Sequence, residues 1–142
     1  MKKTRIVSLL LLICVTASLL CITASARSSN YLDAYGVDLT PQSGGKITIT
    51  VDVDGIRNMT QIGASKIYLY ESTDGSDFTC VKTYYHDKYP VMMGSGRHYY
   101  KDVATYSGVA GRYYYVTAYC YAGDKTGYDE KPYTTSTVRA KT

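Results

Sequence analysis

The chain has 142 residues, 45% hydrophobic and 20% charged, with 12 Gly and 3 Pro, a balance that suits one globular domain and excludes a disordered or fibrous chain. Its 16 basic and 12 acidic residues give a net charge of +4, but the excess is concentrated at the start of the chain. Lys2, Lys3 and Arg5 precede an almost wholly apolar stretch from Ile6 to Ile22, and Ala24-Ser25-Ala26 follows with the small-x-small pattern of a cleavage site. Residues 1–26 therefore read as a secretory signal peptide.

The apolar stretch is near the length that spans a bilayer, so a retained anchor is the competing reading. The small-residue site just beyond it favours cleavage. Cys21 does not read as a lipidation site, because Leu20 stands where such processing needs a small side chain. Cleavage after Ala26 removes 26 of the 142 residues and leaves 116, Arg27 to Thr142, the size of a single domain. Three of the 16 basic residues leave with the signal and all 12 acidic ones stay, so the net charge falls from +4 to +1. No run of Lys or Arg remains to neutralise a phosphate backbone or an anionic bilayer. Nucleic acid and, after cleavage, the membrane thus lose their driving force as partners.

A weak strand is predicted within Tyr31 to Thr40. Lys46 to Asp54 then alternates strictly, with Ile47, Ile49, Val51 and Val53 on one face and Thr or Asp on the other, which is the pattern of a half-buried strand. Further strands are predicted at Ala64 to Glu71, Phe78 to Tyr85, about Tyr99 to Tyr106, Arg112 to Tyr121 and Tyr133 to Val138. Asp74-Gly75 suits a tight hairpin, and further turns are expected at Ser43-Gly44-Gly45 and Ala122 to Gly127. His86 to His98, with Pro90, Gly94 and Gly96, is the longest predicted loop, and Met59 and Ile62 are expected to cap one end of the core. No window carries a 3.6-residue apolar stripe. Seven short strands in a domain of this size predict an all-β fold, an antiparallel immunoglobulin-like β-sandwich.

The segment Gly111-Arg112-Tyr113-Tyr114-Tyr115-Val116-Thr117-Ala118 resembles the Gly-x-x-Tyr-x-Val-x-Ala signature of fibronectin type III domains. The resemblance implies that Tyr114 is a corner tyrosine whose hydroxyl bonds back to the preceding turn, and that Val116 and Ala118 point inward. Lys66 to Gly75 is similar to the third strand and hairpin of such domains. The Trp usual on the second strand and the Pro before the glycine are both absent here. The mature chain also resembles a group of small exported proteins of Gram-positive bacteria that form a family of unknown function, through Tyr31-Leu32, Ile62 to Ile67 and Ala110 to Tyr114. That likeness implies export and fold, and no activity.

Cys80 and Cys120 are the cysteines of the mature domain; Cys14 and Cys21 leave with the signal. Export argues for a disulfide between them. On the fibronectin-like map, however, the third strand separates them, and two strand spacings of about 9.5 Å exceed the roughly 7 Å limit for bridged Cα atoms. A bridge and two free thiols both stay open at this point.

Catalytic groups are sparse. His86 and His98 are the only histidines, at the edges of the long loop and without motif spacing. No Gly-x-Ser-x-Gly elbow or His-Glu-x-x-His helix is present, and Gly94-Ser95-Gly96-Arg97 lacks the setting of a phosphate loop. Asp52 and Asp54 offer hard oxygens for calcium, although alternate polar residues on an exposed sheet face explain the pair equally well. Asn58-Met59-Thr60 is a glycosylation sequon that only a eukaryotic secretory pathway would read. No catalytic residue, metal ligand or cofactor is assigned.

Tyrosine is the compositional extreme, with 17 Tyr against one Phe and no Trp. With Tyr114, Val116 and Ala118 inward, Tyr113, Tyr115, Tyr119 and Tyr121 fall on the outer face. By the same alternation Tyr68 and Tyr70 face outward beside Ile67 and Leu69. The two rows predict one exposed aromatic face suited to stacking on sugars or anchoring a protein. Cross-strand tyrosine pairing in a two-sided sheet is the alternative explanation. The sequence thus points to a secreted, non-enzymatic module, extracellular or cell-wall associated, that binds a glycan, a cell-wall polymer or a protein. A secreted antimicrobial or toxin-like protein is the first alternative. A small extracellular hydrolase is the second, and it lacks a recognisable nucleophile and base.

Overall fold

Apolar–polar alternation becomes strand over most of the chain. In the computed structural model, which describes residues 29–142, seven antiparallel strands follow in order: β1 (Leu32–Pro41), β2 (Lys46–Ser72), β3 (Thr79–Tyr85), β4 (Met93–Ser107), β5 (Tyr113–Asp124), β6 (Gly127–Thr134) and β7 (Val138–Arg139). Two single 3₁₀ turns, Ser43–Gly45 and Pro90–Met92, interrupt them. The fold is all-β. The signal peptide and Ala26 cleavage site expected from the sequence, with Cys14 and Cys21, lie outside the described residues.

Strand β2 organises everything else. Its first part pairs with β1 on one side and, from Lys46 to Asp54, with β4 on the other. From Lys66 onward it pairs with β3, and from Gln61 onward with β5, which also carries β6 and β7. One continuous strand therefore belongs to two groups, β1-β2-β4 and β3-β2-β5-β6. The sequence reading placed a loop between two separate strands here. The backbone instead stays extended through Gly55 to Gly63, with register shifts against β4 at Asp54/Met59 and Met59/Ile62. Glycine makes this passage feasible: Gly63 has φ +146°, and a Cβ there would run into the Met92 carbonyl oxygen.

The inward residues of both parts of β2 and of β5 form one core. Ile47, Ile49, Val51, Val53, Ile67, Leu69, Tyr114, Val116 and Ala118 are fully buried, and Met59, Ile62 and Met92 join them. Each such aliphatic side chain contributes about 1.5–3 kcal/mol relative to exposure.

The later strands depart from the sequence reading. Strand β4 starts at Met93 instead of near Tyr99, because Met93, Gly94 and Gly96 pair with Gly63, Ile62 and Met59 of β2. The second half of the expected loop is thus strand. Strand β6 occupies Gly127–Thr134, where the sequence suggested Tyr133 to Val138. Tyr128-Asp129-Glu130-Lys131-Pro132 has no apolar alternation, and backbone pairing to β5 holds it extended. The return is tightened by Asp124 Oδ1, which accepts the Thr126 N–H at 2.8 Å and its hydroxyl at 2.5 Å. Asp129 in turn accepts the backbone N–H groups of Asn30 and Tyr31, tying down the chain before β1.

Of the two readings left open for Cys80 and Cys120, the structure has the free thiols and not the bridge. Cys80 is exposed on β3 opposite Tyr70, whereas Cys120 is fully buried on β5 opposite Ala64. Strand β2 lies between them, and β3 does not bend off its neighbour to close the distance.

Candidate tyrosine face

The side chains on β5 alternate strictly. Tyr113, Tyr115, Tyr119 and Tyr121 are half-buried, while Tyr114, Val116, Ala118 and Cys120 between them are inaccessible. On β2, Tyr68 and Tyr70 are half-buried and Ile67 and Leu69 inaccessible. The register sets Tyr70 opposite Tyr115, Tyr68 opposite Thr117 and Lys66 opposite Tyr119. The two outer rows therefore meet on one sheet face.

The rings are packed against one another and against neighbouring cations. Tyr70 and Tyr115 stack on each other, with centroids 4.7 Å apart and planes 13° apart, and Phe78 meets Tyr115 edge-on at 4.8 Å. Tyr68 meets Tyr119 edge-on at 6.1 Å, and the Lys66 ammonium sits 4.2 Å over the Tyr119 ring. Tyr121 stacks on Tyr128 at 5.2 Å. That pairing uses the space above Gly123, where a Cβ would fall 2.7 Å from that of Tyr128. Arg139 lies 5.5 Å from the Tyr113 ring centroid.

Three of the face's hydroxyls, those of Tyr68, Tyr70 and Tyr121, have their pKa raised. The Tyr85 hydroxyl beside Tyr68, together with burial, holds the Tyr68 pKa above its usual value. Burial does the same for Tyr70 and Tyr121, reinforced by Cys80 and Tyr115 around the former and by Tyr128 around the latter. Each can both donate and accept a hydrogen bond. Phe78, Tyr85, Tyr128, Lys66 and Arg139 complete the face and were not singled out from sequence. Hairpin register alone could have found Tyr85 and Tyr128, which sit opposite Lys66 and Gly123.

Tyr114 closes the inner side. Its hydroxyl accepts the Val109 N–H at 2.8 Å and donates to Glu71 Oε2 at 2.5 Å. Burial first, then the Glu71 hydrogen bond, push its pKa up to about 12. Gly108 is required beside it, since a Cβ there would lie 2.7 Å from the hydroxyl oxygen.

The histidines sit on different strand groups. His98 Nδ1 is 2.6 Å from Asp54 Oδ1 and 3.8 Å from Asp52 Oδ1 on the outer side of β2 and β4. His86 follows β3, with Nδ1 3.3 Å from the Ser65 carbonyl oxygen. Among the described residues no group of three or more His, Cys, Asp or Glu is placed to hold a metal ion, and no helix is long and apolar enough to cross a membrane. Comparison with protein-family models, curated proteins and solved structures finds no match.

Proposed function

We propose that the protein is an exported, non-enzymatic binding module of the fibronectin type III-like sandwich class, and that its tyrosine face recognises an extracellular glycan, cell-wall polymer or protein. The class is supported by the two strand groups sharing β2 and by the hydrogen bond from the turn at Val109 to the Tyr114 hydroxyl. The observation that carries the binding role is the gathering of Tyr68, Tyr70, Tyr113, Tyr115, Tyr119 and Tyr121 on one half-exposed face. Ring-on-ring packing holds these side chains in place before any partner arrives, which lowers the entropy lost on binding. Hydroxyl tips then supply the polar contacts.

The test is a glycan and cell-wall binding screen with the exported protein, run beside the Tyr70→Ser/Tyr115→Ser double variant. The expected result is a loss of binding far larger than the loss of stability. Normal binding by the double variant overturns the reading.

A further inference from the structure

We propose that the recess beside the tyrosine face is a subsite for one or two neutral sugar residues. The proposal rests on the reading of that face as a recognition surface and names the ligand class of its polar end. Ser65, Lys66, Tyr85, His86, Asp87, Lys88 and Glu130 line an open recess of about 570 Å³, within the range of small-ligand sites.

The recess is built by a bulge. Ala64 pairs with Cys120 and Lys66 with Tyr119, leaving Ser65 as the extra residue. Its hydroxyl donates to Glu130 Oε1, while its carbonyl oxygen accepts the His86 backbone N–H at 3.0 Å. The same carbonyl lies 3.3 Å from His86 Nδ1. A carbonyl can only accept, so Nδ1 donates in this contact and Nε2 is the ring nitrogen left for a ligand. Glu130 Oε2 has its nearest cation, Lys66 Nζ, at 4.0 Å, beyond hydrogen-bond reach, and so retains accepting capacity.

The lining therefore mixes donors, Lys66, Lys88 and the Tyr85 hydroxyl, with acceptors, Glu130 and Asp87, and His86 Nε2 stands among them. Its two ammonium groups balance its two carboxylates, so neither a polyanion nor a polycation is favoured. A ring bearing several hydroxyls, each both donor and acceptor, matches such a set. The exposed Tyr85 ring provides the apolar surface that a sugar's CH face needs. Lys66 over Tyr119 and Tyr85 beside Tyr68 join the recess to the tyrosine face.

The experiment titrates the isotope-labelled protein with three neutral probes, the trimers of N-acetylglucosamine, β-1,4-glucose and mannose, and with trigalacturonate as an anionic control, reading backbone amide shifts. At least one neutral trimer is expected to give saturable shifts at Ser65, Lys66, His86 and Glu130, with a Kd on the order of 1 mM. Lys66→Ala and His86→Ala are each expected to weaken it by about fivefold or more, with melting transitions confirming that both variants fold. Shifts confined to Tyr70 and Tyr115 overturn the subsite and leave the recognition face standing. Binding of the uronate alone, or no shift in the recess with any neutral trimer, also overturns it. The recognition face itself falls only on the Tyr70→Ser/Tyr115→Ser result, so the two failures are separable.

Discussion

Tyr114 and Glu71 are joined by a 2.5 Å hydrogen bond from the phenol to Oε2, while Arg112 Nη1 holds Oε1 of the same carboxylate at 2.5 Å. A side chain in the centre of the core is thereby connected through the end of β2 to the turn that precedes β5. Tyr114→Phe removes the donor to Glu71 and the acceptor for the Val109 N–H together. The expected loss is about 1–3 kcal/mol, because the remaining partners keep their desolvation cost. Denaturant melts of the two proteins measure it; a difference below a few tenths of a kcal/mol would deny the hydroxyl its structural role.

The two thiols should behave as unlike groups. Cys80 is exposed and is expected to react with maleimide in the folded protein, whereas Cys120 should label only after unfolding. Burial pushes the Cys120 thiol up to about 12 from 9.0. The folded state thus holds the proton over a range in which the unfolded chain releases it. This contribution to stability is complete below pH 9 and is lost as pH rises towards 12. Cys120→Ala should flatten that part of the alkaline stability profile. Recovery of natively produced protein with no free thiol would contradict the arrangement.

Acid should act through two turns. Backbone N–H groups of Ser76 and Asp77 with the Ser72 hydroxyl lower Asp74 to about 2, and the Thr126 hydroxyl and N–H with Arg57 lower Asp124 to about 2. Both folded values lie below the usual 3.8, so their stabilisation is present above that value and is lost as pH falls towards 2. Asp74→Asn and Asp124→Asn are each expected to reduce the steepness of acid unfolding in this window. Unchanged acid melts for both would show that these carboxylates are not held by the turns.

Tyr70 and Tyr115 should be energetically coupled. A double-mutant cycle with Tyr70→Ser and Tyr115→Ser is expected to return about 0.5–1.5 kcal/mol of interaction from the stacked pair. Phe78 also touches Tyr115, so the single Tyr115→Ser change should cost more than Tyr70→Ser. Strict additivity in urea melts would mean that the rings do not stack in solution.

Gly63→Ala should damage the passage between the two parts of β2. The new Cβ meets the Met92 carbonyl at a φ of +146°, and a backbone clash of this kind costs on the order of 2 kcal/mol or more. Gly36→Ala is the control, since a Cβ there meets nothing within 4 Å. Equal melting temperatures for the two variants would remove Gly63 from this role.

Alternation is a local, period-two property of the chain. For that reason the inward set Ile47, Ile49, Val51, Val53, Val116 and Ala118 and the outward tyrosines of β2 and β5 could be read from the sequence, as could the turn at Asp74-Gly75, whose glycine takes φ +81°. Other features depend on partners distant in the chain. The unbroken run of β2 is decided by β4 pairing against Met59 and Ile62, and β6 becomes strand through its ladder with β5 despite carrying Asp129, Glu130, Lys131 and Pro132. The free thiols follow from β2 lying between β3 and β5. The packing partners of the tyrosine rings, Phe78, Lys66, Arg139 and Tyr128, are brought to them only by register and loop return. Sequence alternation assigns a side chain to a face of its strand; the neighbour that covers it is fixed only when the strands pair.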